Sequence, residues 1–385
     1  MSRYRATCLT PLLAGDGQKL APIDYMVWKD QVNVLDQMRI FRLLAKGPRL
    51  EGYLAQIGPA TRLDFASWGG YAQNFASRRI PLESPSLAAC YEGARTEDLF
   101  IPTFASGPGG HYLPATALKG PLRTALLLAR AQEAHYRELE KRLEGDRPPR
   151  FPAEALEASA LGASSTVWTR ALRLGDSGAP LQGGTRIYLI RTATLVSRNN
   201  RLELGWKAPV RGSVEGRRPQ DSLPQFAEMA DPGTVFEGVW QPAPGAAHPE
   251  MRRALKMKEP PGPSLFTQAA NRAAGVLLEA QRRYASATGL SRVLASVESL
   301  LAQLEDARRQ PASCLLCIGW GGGYLTKSGL LAAPPELSRA ILRQHPLYAR
   351  TMQTGLPFPK TRRIVFLNGE PAALPGWVRL DFFQD

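Results

Sequence analysis

Apolar residues recur at helical spacing in several parts of the chain. The clearest case is a leucine at every fourth position, Leu118, Leu122 and Leu126, which predicts a long helix from Ala117 to about Leu143. We expect its leucine face to pack into a core. Further helices are predicted over residues 37–45, 265–285, 291–308 and 336–343.

Alternation of apolar and polar residues predicts short strands between these helices. The predicted strands cover residues 4–13, 187–196, 234–240, 363–367 and 377–382, and residues 27–35 form a hairpin with Lys29-Asp30 near its tip. Asp36 then caps the helix that follows the hairpin. Strands and helices are interleaved without a regular β-α-β repeat, so we predict an α+β fold in which helices cover small sheets.

The length of the chain bears on its domain organisation. At 385 residues the chain is long for a single hydrophobic core, so two domains are expected. Three prolines at positions 148, 149 and 152 indicate a linker. We therefore predict an N-terminal domain over residues 1–150 and a C-terminal domain over residues 151–385.

Glycines are densest directly after the apolar run 314–318. Residues 319–327 read Gly-Trp-Gly-Gly-Gly-Tyr-Leu-Thr-Lys, and such a turn can bring several backbone N–H groups close to a phosphate. Neither common nucleotide-loop pattern fits, because GxxxxGKS is absent and Tyr324 stands where GxGxxG needs its third glycine. The segment therefore favours a phosphate of a polymer. The alternative is a tight turn between a buried strand and the next element.

The net charge of the chain indicates a polyanionic partner. Lys and Arg total 48 against 34 acidic residues, a formal charge of +14, which favours nucleic acid first and an anionic membrane second. No apolar run reaches the roughly 18 residues of a spanning helix, so we expect no membrane contact. One basic stretch is either a solvated loop or a contact with a nucleic-acid backbone: Arg198, Arg201, Lys207, Arg211, Arg217 and Arg218.

Cysteine usage and the start of the chain indicate a cytoplasmic protein. The four cysteines are too few and scattered for a disulfide framework, and Met1–Gly15 is a poor signal peptide because its short apolar patch is broken by Pro11. Cys314 and Cys317 form a lone CxxC without a second ligand pair. We interpret them as small buried hydrophobes and expect neither a metal nor another cofactor.

The start of the predicted long helix carries a family signature. Residues 111–123 read His-Tyr-Leu-Pro-Ala-Thr-Ala-Leu-Lys-Gly-Pro-Leu-Arg and resemble the YIPGSSLKGALR segment of RAMP proteins, the RNA-binding subunits of CRISPR effector complexes. Ala115, Thr116 and Pro121 depart from that segment, but they preserve a cap and a helix start, since proline fits the first turn of a helix. The glycine-rich segment 319–323 resembles the C-terminal glycine-rich loop of the same superfamily, in the same order along the chain.

Other segments resemble the fifth-subunit family of type III-A (Csm) complexes. They are residues 9–25 near the start, Leu174-Gly175-Asp176-Ser177, and the late basic segment 359–363. The resemblance implies two RRM-like (ferredoxin-type) RAMP domains with helical and loop insertions, and a subunit that caps the 3′ region of the CRISPR RNA in antiviral defence. It also implies target RNA and neighbouring RAMP backbone subunits as partners.

Candidate RNA contacts combine this resemblance with the chemistry of the residues. Lys119 and Arg123 lie one helical turn apart and can face consecutive phosphates, while Gly120 lies in a first turn whose N–H groups attract anions. Tyr324 can stack on an unpaired base, and Trp320 either does the same or plugs a domain interface. The predicted RNA-binding residues are Lys119, Gly120, Arg123, Gly321, Gly322, Gly323, Tyr324, Lys327, Arg362 and Arg363.

We expect no enzymatic activity, but two residues support a rival hypothesis. A RAMP-type endoribonuclease could process guide RNA with His111 as acid or base, since His is the side chain best suited to proton transfer near neutral pH. Asp24 lies in a region comparable to the loop that carries a target-cleaving aspartate in RAMP backbone subunits. A third alternative is an equivalent RAMP subunit of another type III complex, such as the Cmr form.

Overall fold

The computed structural model describes residues 2–59, 74–162, 172–199, 201–210, 213–243, 248–254, 262–353 and 355–383. The described strands are β1 (Arg3–Cys8), β2 (Lys19–Leu20), β3 (Tyr25–Trp28), β4 (Gln31–Leu35), β5 (Ala76–Pro81), β6 (Ile101–Pro102), β7 (Ser106–Gly107), β8 (Gly110–His111), β9 (Leu172–Leu174), β10 (Thr185–Arg198), β11 (Arg201–Trp206), β12 (Gln225–Ala230), β13 (Val235–Pro242), β14 (Ser313–Cys317), β15 (Thr361–Leu367), β16 (Glu370–Ala373) and β17 (Trp377–Phe383). The described helices are α1 (Gln37–Leu44), α2 (Leu50–Ile57), α3 (Ser86–Glu92), α4 (Ala115–Arg130), α5 (Glu133–Glu144), α6 (Pro152–Leu161), α7 (Pro249–Ala254), α8 (Pro263–Thr288), α9 (Ser291–Arg308), α10 (Pro335–Gln344) and α11 (Pro346–Met352). This content confirms the α+β prediction.

The first sheet has the strand order β14-β17-β1-β13-β9, with every neighbouring pair antiparallel. Along the chain, β1, α4, β9, β13, α8 and β17 follow the β-α-β-β-α-β order of a ferredoxin-like unit. Strand β1 lies between β13 and β17, so the segments before and after residue 150 share this sheet. The proposed division at residue 150 stays a prediction.

The second sheet is built around the 14-residue strand β10. One edge of β10 pairs with β15, and its other edge pairs first with β12 and then with β11. Strand β16 extends the sheet beyond β15 through a short hairpin that the sequence patterns did not predict. Beyond Thr194, β10 pairs with β11 alone among the described strands. The end of the β10–β11 hairpin, which carries Arg198 and Arg201, therefore projects from the body of the sheet.

A long helix packs against both sheets. Helix α8 has 26 residues and is therefore about 39 Å long. Phe266 and Ala270 in its first half pack into the core of the first sheet, whereas Leu278 and Ala285 in its second half pack against the second sheet. The predicted helices over 265–285, 291–308 and 336–343 are confirmed as α8, α9 and α10.

The leucine-rich segment forms two helices, not the one that was predicted over 117–143. Helix α4 ends at Arg130, Ala131 is extended, and α5 begins at Glu133. The break has a local cause, since the side chain of His135 accepts a hydrogen bond from the backbone N–H of Gln132 at 2.9 Å in a capping box that starts α5. The leucine face of α4 is buried as expected.

Helix α4 also begins earlier than predicted, at Ala115. Pro121, interpreted from the sequence as a first-turn residue, is therefore the seventh residue of the helix and lies inside it. The first strand is shorter than the predicted 4–13, because the chain leaves the first sheet after Cys8 and Leu12 bridges to Ala230 of the second sheet. The predicted hairpin is confirmed as β3–β4. The predicted cap of the following helix α1 is also confirmed, since the backbone N–H of Arg39 donates to the side chain of Asp36.

Candidate functional site

The glycine-rich segment 319–323 is held between the two sheets. The backbone N–H of Trp320 donates to the carbonyl of Leu13 at 2.8 Å, and that of Ile318 donates to Gly376 at 2.8 Å. Gly319 has φ +71°, and a Cβ there would collide with the carbonyl oxygen of Leu13. The first glycine is thus required by a close approach of two backbones. In this respect the segment is a tight turn, as one alternative proposed.

Trp320 is committed to contacts within the protein. Its ring packs against the apolar cluster that includes Ile190 and Val365 of the second sheet. The guanidinium of Arg363 lies 4.6 Å from the centre of its ring, within the range of a cation–π contact. The interpretation of Trp320 as an aromatic plug therefore agrees with its surroundings.

Residues 321–325 line a pocket of about 160 Å³ together with β15 and the end of the β10–β11 hairpin. We call it the glycine-loop pocket. Its charged lining residues among those the structure describes are Lys207, Arg362 and Arg363, with no carboxylate. Its positive charge is therefore not neutralised from within the lining.

Three backbone donors beside the same pocket are unpaired. Within the described chain, the N–H groups of Gly321, Gly322 and Gly323 have no hydrogen-bond acceptor, and all three residues line the pocket. Gly321 and Gly323 have φ values of +102° and +74°. Successive N–H groups in such alternating conformations form a nest that attracts anions.

The two adjacent arginines of β15 serve different purposes. Arg362 is only 9% exposed, and its guanidinium donates to Gln281 at 2.6 Å and to the carbonyl of Pro359 at 2.7 Å while it covers the ring of Tyr284. Burial lowers the pKa of Arg362 to about 10, so it remains charged at neutral pH. Its guanidinium is largely occupied by the fold, and we do not retain Arg362 as a direct phosphate contact.

Arg363 is only partly buried and has a free donor. Its Nε atom is buried and has no hydrogen-bond partner within the described chain. Burial lowers the pKa of Arg363. A buried N–H without an acceptor is costly, so this part of the pocket lining contains an unsatisfied donor.

Among the described residues of the basic stretch 198–218, Lys207 lines this pocket. It directly follows β11, its backbone N–H donates to Thr192 at 2.9 Å, and its side chain is exposed at the pocket. Arg198 instead pairs with Glu203 at 3.5 Å. Arg201 lies at the exposed start of β11, the backbone N–H groups of Arg217 and Arg218 donate to Asp221, and Arg211 lies outside the described residues.

The expected anion site in the first turn of α4 is already occupied. The carboxylate of Asp176 accepts a hydrogen bond from the backbone N–H of Ala115 at 2.7 Å, and Ser177 Oγ accepts one from Leu113 at 2.8 Å. The protein thus supplies one anion of its own at this turn, and binding of a phosphate there stays a prediction. The segment around Asp176 had been noticed only for its resemblance to a family.

The cations of α4 differ in how far they are neutralised. Arg123 forms an ion pair with Glu157, which competes with a phosphate. Lys119 is half-buried and has no carboxylate partner in the described part of the chain, and Gly120 is exposed. Neither Lys119 nor Gly120 lines the glycine-loop pocket. Their contacts with RNA stay a prediction.

The two predicted motifs nevertheless lie side by side. Pro121 and Thr124 of α4 line one surface pocket together with Leu325 and Thr326. Thr124 also lines a second pocket with Lys327, whose side chain is exposed. The fold thus brings together segments about 200 residues apart in sequence.

Tyr324 forms one wall of the glycine-loop pocket. Its ring makes edge contacts with Phe358 at 4.9 Å and with Tyr348 at 5.5 Å, measured between ring centres. Burial raises the pKa of its hydroxyl. A half-buried ring braced by two others is a rigid surface on which a base can stack.

The two candidate catalytic residues lie in hydrogen-bonded structure. Asp24 Oδ2 accepts a bond from the backbone N–H of Ala21 at 2.7 Å within a turn. His111 Nε2 lies 3.1 Å from the fully buried carboxylate of Glu228 and 2.7 Å from Arg78. Arg78 in turn donates two hydrogen bonds to Glu228. These contacts orient His111 within an ion-pair network.

The cysteine pair lies inside the first sheet. Cys314 and Cys317 are buried in β14, and burial raises the pKa of both thiols, that of Cys317 to about 12. Throughout the residues that the structure describes, no group of three or more His, Cys, Asp or Glu side chains could hold a metal ion. Within the same residues, no helix is long and apolar enough to cross a membrane.

Comparison with known proteins identifies the class of fold. No family model matches the chain, and no curated protein matches it. A chain in a cryo-EM structure of a Csm-crRNA-target RNA ternary complex of a type III-A CRISPR-Cas system is similar, with a TM-score of 0.61 and 18% identity over 99% of this chain and 100% of that one. Csm5 of T. onnurineus is similar with a TM-score of 0.58 and 16% identity over 97% and 99%. The protein therefore has the fold of Csm5, which confirms the fold implied by the RAMP resemblance.

Proposed function

We propose that this protein is a guide-RNA-binding structural subunit of a type III-A CRISPR effector complex, located in the cytoplasm. It binds phosphates of the CRISPR RNA in the glycine-loop pocket and caps the 3′ region of that RNA. The observation that carries the proposal is a pocket with three cations, no carboxylate and three free backbone N–H groups within the described chain. Such a pocket is built for an anion.

The size of the pocket favours one phosphate group of a longer ligand. Its volume of about 160 Å³ is below the roughly 300–1,000 Å³ of usual small-molecule sites. The formal charge of +14 extends the attraction over the whole chain and favours a polymer of phosphates. Tyr324 at the pocket wall adds a stacking surface for the base next to that phosphate.

The fold supports the assignment to a type III-A complex. Similarity to T. onnurineus Csm5 covers nearly the whole of both chains, and the other similar chain comes from a complex that contains crRNA and target RNA. We accordingly propose CRISPR RNA, target RNA and neighbouring RAMP backbone subunits as partners, without a membrane. The alternative is that the protein is an equivalent subunit of another type III complex, such as the Cmr form, and binds RNA phosphates in the same way.

Binding of labelled single-stranded RNA tests the proposal. Lys207→Gln removes an exposed cation from the pocket, and Arg292→Gln removes an exposed cation from α9 as the matched control. We expect Lys207→Gln to weaken binding of several unrelated RNA sequences equally, because phosphate contacts carry no sequence information. Equal affinities of Lys207→Gln and Arg292→Gln would refute the pocket.

The rival function is an endoribonuclease that uses His111. The observation in its favour is the position of His111 beside a carboxylate and a guanidinium, which can hold an imidazole in one orientation. Labelled RNA incubated with the protein, with and without magnesium, separates the two functions. We expect intact RNA in both conditions. Cleavage that His111→Ala or Asp24→Ala abolishes, without loss of the folded protein's melting transition, would establish the rival.

A further inference from the structure

Arg191 is a buried cation without a carboxylate partner. It lies on β10 and is only 7% exposed. Its guanidinium donates to the carbonyl oxygen of Ser222 and, at 3.4 Å, to the sulfur of Cys90. No Asp or Glu of the described chain forms an ion pair with it. A charge removed from water is costly unless another charge compensates it.

Glu228 is a second buried charge, and its charge is compensated within the protein. Glu228 is fully buried, and Arg78 binds its two carboxylate oxygens at 2.7 and 3.0 Å. The hydroxyl of Thr185 donates to the same carboxylate at 2.8 Å. Arg191 has no such carboxylate within the described chain, so an anion from outside the chain can supply its counter-charge.

Arg191 lines a pocket of about 460 Å³ between α3, β10 and the segment 219–224. We call it the Arg191 pocket. Leu87, Leu189 and Phe366 give it apolar walls. Its volume falls within the roughly 300–1,000 Å³ of sites that enclose a small molecule.

The two carboxylates of the Arg191 pocket are already engaged. Asp98 accepts a hydrogen bond from Arg95 at 3.0 Å. Asp221 accepts bonds from the backbone N–H groups of Arg217 and Arg218, each at 2.9 Å, which lower its pKa. Neither carboxylate forms an ion pair with Arg191, so the positive charge at the base of the pocket remains open to a ligand.

The Arg191 pocket is separate from the glycine-loop pocket. The two share no lining residue. Thr192 lines the glycine-loop pocket, whereas its neighbour Arg191 lines the other.

We propose that the Arg191 pocket binds one nucleotide unit, with its phosphate on the Arg191 guanidinium and its base against the apolar walls. Arginine offers a planar fork that matches a phosphate. The nucleotide is either a free mononucleotide or one unit of an RNA strand, and the chemistry of recognition is the same for both. The inference stands independently of the glycine-loop pocket.

Thermal unfolding of the full chain with AMP as the probe and adenosine as the uncharged control tests this site. A ligand that binds only the folded state raises the melting temperature. We expect AMP to raise it and adenosine to leave it unchanged. Arg191→Gln should weaken AMP binding about tenfold or more, because it removes a charged hydrogen-bond donor. Lys207→Gln should bind AMP as the wild type does.

A second variant guards against misfolding caused by a change in the buried strand. Ala89 is exposed and lines the same pocket, so Ala89→Trp obstructs the pocket without touching the core. It should also abolish the AMP effect. An AMP effect that persists in Ala89→Trp or Arg191→Gln, or no AMP effect in the wild type at any concentration up to several millimolar, overturns the proposal.

The source of the nucleotide is distinguished by RNA binding. If the pocket takes one unit of an RNA strand, Ala89→Trp weakens binding of labelled single-stranded RNA as well as of AMP. If it takes a free mononucleotide, Ala89→Trp loses AMP and keeps the wild-type affinity for RNA. Failure of the glycine-loop pocket would instead appear as a wild-type RNA affinity in Lys207→Gln.

Discussion

The carboxylate of Asp176 accepts a hydrogen bond from the backbone N–H of Ala115 at 2.7 Å, across 61 positions of sequence. This contact lies at the start of α4, one helical turn before Lys119. It also joins two segments that resemble the same family. A negative charge at the start of a helix stabilises the helix through its dipole.

Asp176→Ala should destabilise the folded protein by about 1 kcal/mol, because it removes both the acceptor and the charge at the start of α4. Asp176→Asn keeps an acceptor oxygen and should lose less. Urea unfolding followed by circular dichroism measures the difference. Asp146→Ala is the control, since Asp146 is exposed and has no hydrogen-bond partner within the described chain. Equal unfolding free energies for Asp176→Ala and Asp146→Ala would contradict the role of Asp176.

The glycine-rich segment offers a matched pair of substitutions. Gly319 and Gly323 have φ values of +71° and +74°, but only at Gly319 would a Cβ collide with backbone, whereas nothing lies within 4 Å of a Cβ at Gly323. Gly323→Ala should cost about 1–2 kcal/mol, the price of the left-handed conformation alone. Gly319→Ala should cost clearly more. Similar unfolding free energies for the two variants would show that Leu13 does not constrain the segment.

The network around Glu228 predicts a dependence of stability on pH. Burial alone would raise the pKa of Glu228, yet the hydrogen bond with His111 and the charge of Arg78 hold it below its usual 4.5. Because the pKa is lower in the folded state, this carboxylate stabilises the protein above about pH 4.5, and the contribution is lost as the pH falls further. Urea unfolding between pH 7 and pH 3 measures the loss.

Glu228→Gln provides the control for that pH dependence. At pH 7 it should destabilise the protein by about 3 kcal/mol, since Arg78 is left without its charged partner. The variant should then lose less stability on acidification than the wild type does. Glu298→Gln, at an exposed position of α9, should behave as the wild type. A parallel loss in wild type and Glu228→Gln would assign the acid sensitivity to other groups.

Local sequence patterns predicted those elements whose cause is local. The hairpin turn at Lys29, the cap at Asp36 and the leucine face of α4 each depend on neighbours within a few residues. The break between α4 and α5 was missed because no proline or glycine marks it in the sequence. The early start of α4 was missed because its cap, Asp176, is remote in sequence.

The candidate site was predicted only in part, because some of its residues come together through contacts that are remote in sequence. The glycine-rich segment was visible in the sequence, but the cation that faces it from the β10–β11 hairpin, Lys207, could be chosen from its basic stretch only once the strands were paired. The burial of Arg362 depends on Gln281 and Tyr284 of α8, which no local pattern reveals. The burial of Arg191 could not be predicted from the sequence, because an arginine in an apolar strand can equally well be exposed at the edge of a sheet.

The salt dependence of RNA binding tests the central claim most directly. For single-stranded RNA, the slope of log K against log salt concentration becomes shallower by about 0.7 for each phosphate contact that is lost. We expect Lys207→Gln to flatten the slope by about this amount and to weaken binding of every sequence alike. Arg292→Gln should keep the wild-type slope. A wild-type slope and affinity in Lys207→Gln would contradict phosphate binding in the glycine-loop pocket.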